Sequence, residues 1–417
     1  MTVPDRTATI GAEDCPDWPA EWAGGGTVTP SSPGAVRTGL DVLLAEGIPG
    51  LAGARVGLIT NPTGVDRGLR SGIDRLHASD RVSLVALYGP EHGVRGDAQA
   101  GARVGAGTDP RTGLPTHSLY GEERRPTVRM LAGLEALLFD VQDVGVRYYT
   151  YASTMVLAQE AAAAAGLPFV VLDRPNPLSG SRVEGPTLDL AFASFVGAFP
   201  VPVRHGLTVG ELARLVAAER GWPEPTVVAM RGWRREQWFD ATGLPWVQPS
   251  PNLPTLTSVT LYPGTCLVEG TNASEGRGTT RPFEFLGAPW LDPFRLAEDL
   301  SARGLPGVAF RPAWFTPTFS KHAGRPCGGV QVHVVDRAAL RPVALGLHLL
   351  DALRRPDPAA FAWAEGPDGV PFVDRLLGSD GPRRALEAGL GIEEVTEGWA
   401  AETRAFVARR RPAILYP

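Results

Sequence analysis

Residues 135–177 read EALLFDVQDVGVRYYTYASTMVLAQEAAAAAGLPFVVLDRPNP, and the order of signals in this stretch decides the fold. Residues 135–140 are an apolar run ending on Asp140, the mark of a buried strand. An alanine-rich stretch over 154–165 follows, closed by Gly166 and Pro168 where a capping glycine and a proline stop are expected, so it predicts a helix. A second apolar run, 168–173, then ends on Asp173. Strand, helix and strand in that order predict parallel pairing. Upstream, residues 54–60 and 82–88 are further short aliphatic runs, and downstream the helix expected at 208–220 opens with a Thr208-x-x-Glu211 capping box. The fold class is therefore α/β.

After Trp222 the rhythm breaks into Trp233, Trp238, Trp246 and a Pro- and Thr-rich run through Pro263. Strands at 308–312 and 329–335 and helices at 339–354 and 399–410 predict a second, smaller α+β domain. The expected organisation is a disordered leader over 1–37, an α/β domain over 38–225 and a smaller domain over 226–417 that closes an active-site cleft. With 417 residues, 43% of them hydrophobic, the chain can build such a core, and a net charge of -5 with 20% charged residues excludes a polybasic nucleic-acid binder. The 50 glycines and 39 prolines demand much loop. Lys321 is the sole lysine among 40 basic residues, a skew read as genome composition. Cys15, Cys266 and Cys327 form no CxxC spacing, which argues against a zinc site and a disulfide framework. No stretch approaches the roughly 18 uninterrupted apolar residues of a membrane span. The start lacks a basic segment followed by an apolar run, so a cytoplasmic location is expected.

Ligands of an open parallel sheet bind beyond the carboxyl ends of its strands. Those ends run into Thr60-Asn61-Pro62-Thr63-Gly64, Gly89-Pro90-Glu91-His92-Gly93, Asp140-Val-Gln-Asp143-Val-Gly145 and Asp173-Arg-Pro-Asn176-Pro177. Each is also an ordinary turn composition, but four on one rim favour a site. Glu91 is the leading catalytic candidate, a carboxyl in a constrained turn where a covering domain would desolvate it for general-acid work. His92 either contacts substrate or orients the loop. Asp140 and Asp143 suit a hard metal or a grip on hydroxyls; the second is favoured, since no HxH, HExxH or DxDxT accompanies them. Tyr148, Tyr149 and Tyr151 offer flat faces with polar tips. The run from Val268 to Glu284 is almost wholly glycine and hydrogen-bonding residues, and its Arg277, flanked by glycines, can approach a ligand carboxylate. No nucleotide fingerprint is present. Together these residues suit an acidic carbohydrate.

The segments Gly57-Leu-Ile-Thr-Asn-Pro-Thr-Gly64, Gly89-Pro-Glu-His-Gly93, Asp140-Val-Gln-Asp-Val-Gly-Val-Arg-Tyr-Tyr-Thr-Tyr151, Asp173-Arg-Pro-Asn-Pro177 and Val268-Glu-Gly-Thr-Asn-Ala-Ser-Glu-Gly-Arg-Gly-Thr279 resemble the exo-β-N-acetylmuramidase family. The resemblance spans roughly residues 38–417. It implies a Rossmann-like domain with a smaller one, a site in the cleft between them, and release of terminal N-acetylmuramic acid from the non-reducing end of peptidoglycan fragments, without metal or other cofactor. It places the family's catalytic glutamates on Glu91 and on Glu269 or Glu275. Glycoside hydrolysis needs an acid at the leaving oxygen and a base or nucleophile opposite, unless the 2-acetamido group itself attacks and Asp140 or Asp143 orients it. Arg277, with Arg281 as second choice, becomes the expected partner of the lactyl carboxylate, and Asn61, Asn176 and Asn272 the partners of ring hydroxyls or the acetamide. The partners implied are muramic-acid saccharides, with neither nucleic acid nor a membrane span. Two other readings are a metal-dependent hydrolase built on Glu91, His92, Asp140 and Asp143, and a sugar-binding protein without catalysis.

Overall fold

In the computed structural model, which describes residues 36–96, 105, 107–366 and 368–417, the aliphatic runs are strands of one sheet. In chain order these are β1 (Arg55–Thr60), β2 (Ser83–Gly89), β3 (Gly107–Thr108), β4 (Pro115–Ser118), β5 (Ala136–Asp140) and β6 (Phe169–Leu172). A two-stranded ribbon, β7 (Glu184–Thr187) and β8 (Pro202–Arg204), precedes the last member, β9 (Thr226–Val228). The sheet order is β3-β4-β2-β1-β5-β6-β9, with every pairing parallel except β3 to β4. Because β2 and β5 flank β1 on opposite sides, the strand order reverses there, and the crevice above β1 and β5 is where such a sheet receives a ligand. Thr60 pairs with Asp140, so the loops that follow leave the sheet side by side.

Period-two alternation sorts the side chains of this sheet. Val56, Leu58, Ala136, Leu138, Val170 and Leu172 face helices Gly39–Glu46 and Gly72–His77. Ile59, Leu137, Phe139, Phe169 and Val171 face the opposite layer, where helices Thr150–Ala164 and Val209–Arg220 pack. That apolar cluster continues without a break into the second sheet, β10 (Phe285–Ala288), β12 (Cys327–Val334) and β11 (Val308–Phe315), in the order β10-β12-β11 and all antiparallel. Gly264 in helix Leu256–Thr265 lies against Pro342 and Gly346 of helix Pro342–Arg354, an approach that leaves no room for a Cβ. The contact fixes the helix that leads into Glu269.

Three boundaries differ from the sequence reading. Of the expected leader, residues 1–35, Cys15 included, lie outside the described residues. Val36 and Arg37, placed in it, are paired to Thr242 and Arg231, and Val36 is fully buried. The seam expected after residue 225 would sever β9, which pairs with β6 and completes the large sheet. The helix predicted from 154 begins at Thr150, because Tyr149 is still extended and Thr154 Oγ1 already donates to the Thr150 carbonyl within the first turn. Among the described residues no helix is long and apolar enough to cross a membrane.

The C-terminus returns to the first domain. Tyr416 donates its hydroxyl to Asp173 Oδ2 at 2.6 Å and accepts from Met230 N–H, while Leu415 N–H donates to the buried Glu211. Burial pushes the Asp173 carboxyl up to about 6, against hydrogen bonds from Tyr416, Gly210 and Thr208 that pull it down. An acid whose folded-state pKa is raised holds its proton better when folded, so this group's contribution is lost as pH climbs from the unfolded value towards about 6. Tyr416→Phe removes a donor to the ionised form, and a cost of roughly 1–3 kcal/mol is expected. Urea unfolding should show a larger loss at pH 8 than at pH 5; equal losses would refute this account of the latch.

Candidate active site

Glu91 follows β2 in a turn closed by Gly93 N–H to the Pro90 carbonyl. His92 and Gly93 both carry positive φ, 75° and 76°, a conformation uncommon for a residue with a side chain. The turn buries His92 and leaves Glu91 partly open. Thr150 Oγ1, at the start of its helix, donates to Glu91 Oε2 at 2.8 Å. Tyr120 is hydrogen-bonded to the same carboxylate, and its hydroxyl is pushed up to about 12, first by burial and then by Glu91. Tyr151 donates to the Pro249 carbonyl at 2.6 Å and approaches the Glu91 carbonyl at 3.4 Å.

Around this carboxylate stand buried polar groups whose hydrogen-bonding capacity is not fully used. Asn61 Oδ1 accepts from Thr63 N–H and Oγ1, and its side chain reaches the Tyr151 hydroxyl. Asp143 Oδ2 accepts from Gly145 N–H at 2.6 Å while Oδ1 is orphaned, and burial pushes the carboxyl up to about 7. The Tyr149 hydroxyl is buried beside that of Tyr151, its hydrogen-bonding neighbour, and burial raises it well above the usual tyrosine value. Both Asp143 and Glu91 act electrostatically on Tyr149 and Tyr151, which places the four together.

An aromatic chain joins this group to the 268–284 loop. Tyr149 meets Tyr262 edge-on at 5.8 Å, Tyr262 meets Phe283 at 4.9 Å, and the Arg277 guanidinium lies 5.1 Å over Phe283. Arg277 binds Glu269 Oε1 through Nε and Nη2, at 3.1 and 2.5 Å, and lies 3.2 Å from Glu275. Its Nη1 is buried and unpaired. Burial opposes its charge, yet Glu269 and Glu275 hold it above the ordinary arginine value. Glu275 is engaged by both oxygens, through Arg277 and Lys321, and is 2% exposed. Glu269 is bound through one oxygen only and is 20% exposed, and burial pushes its carboxyl up against the pull of Arg277. Tyr120 lies within electrostatic reach of both Glu91 and Arg277, which puts the two groups in one neighbourhood.

The structure thus gathers Glu91, Asn61, Asp143, Tyr149, Tyr151, Arg277, Glu269 and Glu275, and buries His92 in the turn beside Glu91. It does not gather the other sequence candidates. Asp140 is fully buried in a bidentate pair with Arg174, at 2.6 and 3.0 Å. That engagement also withdraws it from the metal-site reading, and among the described residues no three His, Cys, Asp or Glu side chains group as metal ligands. Asn176 is spent on the Leu207 carbonyl and Leu178 N–H, and Asn272 on the backbone of Ala360 and Ala362. Tyr148 is core, donating to the Pro263 carbonyl. Arg281, about half exposed, pairs loosely with Glu284 at 3.4 Å. Thr150, Tyr120 and Tyr262 join the site without a sequence signal of their own, and Lys321 joins it with one, its uniqueness.

A hydroxyl-held carboxylate on one wall, a carboxylate with one free oxygen on the other and under-used buried polar groups beside them have the composition of a carbohydrate-active hydrolase site. Sequence models of the exo-beta-N-acetylmuramidase NamZ match residues 56–257 with their N-terminal part and 260–416 with their C-terminal part. The chain belongs to the exo-β-N-acetylmuramidase family. It is 47% identical over 382 residues, 91% of each chain, to the peptidoglycan beta-N-acetylmuramidase NamZ of Bacillus subtilis (strain 168). Two crystal structures of DUF1343 family proteins from Bacteroides fragilis NCTC 9343 share the fold. One has a TM-score of 0.84 at 37% identity, covering 93% of this chain and all of its own. The other has a TM-score of 0.73 at 31% identity, covering 91% and 99%.

Proposed function

We propose that the protein is an exo-acting glycoside hydrolase that releases terminal β-linked N-acetylmuramic acid from the non-reducing end of peptidoglycan fragments. The observation that carries the reading is the set of buried polar atoms near Glu91 that are left without a partner or share only the Tyr151 hydroxyl: Asn61 Nδ2, Asp143 Oδ1, Tyr149 OH and Arg277 Nη1. Buried polar groups are almost always paired, so under-used groups gathered beside a carboxylate suit a polar ligand. Here they ask for hydroxyls, an amide N–H and an anion, which N-acetylmuramic acid supplies at once. The name of the B. subtilis relative supports the same substrate class.

In this reading Glu91, oriented by Thr150 and Tyr120, protonates the leaving oxygen. Glu269 is its partner, since Glu275 has both oxygens engaged and Glu269 keeps one free. Asp143 Oδ1 accepts the acetamide N–H, and Arg277 Nη1 donates to the lactyl carboxylate. The test is hydrolysis of a chromogenic β-N-acetylmuramide, with the matching β-N-acetylglucosaminide left largely intact. A disaccharide with muramic acid at its reducing end should also resist. No release from the muramide would sink the proposal.

Asp143 adds a pH signature. The ionised carboxylate accepts an N–H far more strongly than the neutral acid, and burial has pushed that group up to about 7. Activity should therefore rise with pH through about 7. In Asp143→Asn that limb should vanish, with kcat/KM down about 10- to 100-fold, the worth of a hydrogen bond to a charged group. A variant retaining the limb would remove Asp143 from the mechanism.

A further inference from the structure

Lys321, the single lysine among 40 basic residues, lies in the wall of the candidate site. It belongs to the connection between β11 and β12, which clasps the loop carrying Glu269, Glu275 and Arg277. Thr318 donates to the Gly278 carbonyl through N–H and Oγ1, both at 2.9 Å. Gly278, at φ 79°, packs so closely on the backbone of Phe319 that a side chain has no space. His322 Nε2 lies 2.7 Å from the Asn272 carbonyl, and Ser320 and His322, on either side of Lys321, both have positive φ.

At the centre of the clasp Lys321 Nζ reaches the carbonyls of Val268, Glu269 and Ala273 at 3.0, 3.2 and 3.0 Å and Glu275 Oε2 at 3.0 Å. The first two carbonyls belong to the helical turn Cys266–Gly270, whose end presents partial negative charge. Four acceptors within 3.2 Å of one nitrogen suit a compact ammonium whose three donors can be shared among them, whereas the larger planar fork of arginine spreads its donors over three nitrogens. In a chain that otherwise answers every need for a cation with arginine, the exception marks a geometric demand.

We propose that Lys321 is a positioning residue for the reaction: its ammonium binds Glu275 and three loop carbonyls into one rigid wall, and so holds Arg277 and Glu269 in place for the sugar. The proposal rests on the reading of the site as a muramidase. Charge follows from the same geometry. Glu269 and Glu275 face two cations, Arg277 and Lys321, and the other titratable groups acting on Glu269 are Cys266, Tyr148 and Tyr262, which burial keeps neutral. Without the ammonium the pair carries excess negative charge, so the carboxyl of Glu269 would titrate at higher pH.

The experiment compares wild type, Lys321→Met and Lys321→Arg on the chromogenic β-N-acetylmuramide across pH. Lys321→Met is expected to lose roughly 10²-fold in kcat, the usual result of a misplaced site, and, read in an Asp143→Asn background that removes the limb near 7, its remaining acidic limb of kcat/KM should move to higher pH. Lys321→Arg should keep the limb and still fail to restore kcat. Methylammonium added to Lys321→Ala should recover part of the rate. Wild-type kcat in Lys321→Arg, or an unshifted limb in Lys321→Met, overturns the proposal. If the methionine variant does not fold, the arginine variant and the amine rescue decide. If wild type itself leaves the muramide intact, the muramidase reading has failed, and the clasp is judged by thermal unfolding: Lys321→Met melting like wild type from pH 5 to 8 refutes it.

Discussion

Glu91→Gln is expected to hydrolyse a natural muramic-acid disaccharide about 10²–10⁴-fold more slowly than wild type, the usual loss with a general acid. The substitution is nearly isosteric, and the amide oxygen can still accept from Thr150 Oγ1, so the turn and the helix start at Thr150 should survive. What disappears is the proton for the departing oxygen. The size of the loss should therefore depend on the leaving group. A 4-nitrophenyl glycoside, which departs as a stable anion, needs little protonation, and the defect on it should be smaller than on the disaccharide. Substrate affinity should change little, because the under-used polar groups on Asn61, Asp143, Tyr149 and Arg277 are untouched. Steady-state rates on both substrates decide the matter. An undiminished rate on the disaccharide removes Glu91 from the acid role, and equal losses on the two substrates make it a binding group instead.

The place of Glu91 in the turn after β2 was legible because a strand end, a Gly-Pro before it and a glycine after it are local signals. The same holds for the capping box at Thr208 and for the paired runs that became β1, β2, β5 and β6. Asp140 and Asp143 show where locality stops. They sit three residues apart in one motif and look equivalent as sequence, yet Asp140 is still within β5 and meets Arg174, which follows β6, whereas Asp143 lies beyond the strand and keeps a free oxygen. The partner that separates them is 34 residues from Asp140 along the chain. Asn272 repeats the lesson at longer range, its amide committed to backbone at Ala360 and Ala362. The use of a polar side chain is decided by whichever backbone groups the fold brings to it, and no pattern around the residue encodes them. Lys321 is the converse case, a signal present in the sequence whose meaning required the four acceptors around its ammonium.

Arg277 should prove to be where the substrate's charge is read, and the second large effect is expected there. Its guanidinium has two duties. Nε and Nη2 hold Glu269 and Nε also faces Glu275, while Nη1 is buried without a partner. The first duty is structural: Arg277→Met would leave two carboxylates, one of them 2% exposed, with a single cation, and breaking a buried pair in this way costs about 3–5 kcal/mol. That variant reports on stability, so it cannot isolate recognition. Arg277→Lys can, because it keeps a charge for the glutamates and forfeits the fork that aims Nη1 at the ligand. Loss of one charge-assisted hydrogen bond, roughly 1.5–3 kcal/mol, should lower kcat/KM on the β-N-acetylmuramide about 10- to 100-fold. The β-N-acetylglucosaminide, which has no lactyl carboxylate to lose, should be cleaved at its wild-type trace rate. The ratio of the two specificity constants is then the measurement, since a general weakening of the site would lower both alike. A ratio unchanged in Arg277→Lys would mean that the lactyl group is held elsewhere and that Arg277 serves only to seat Glu269.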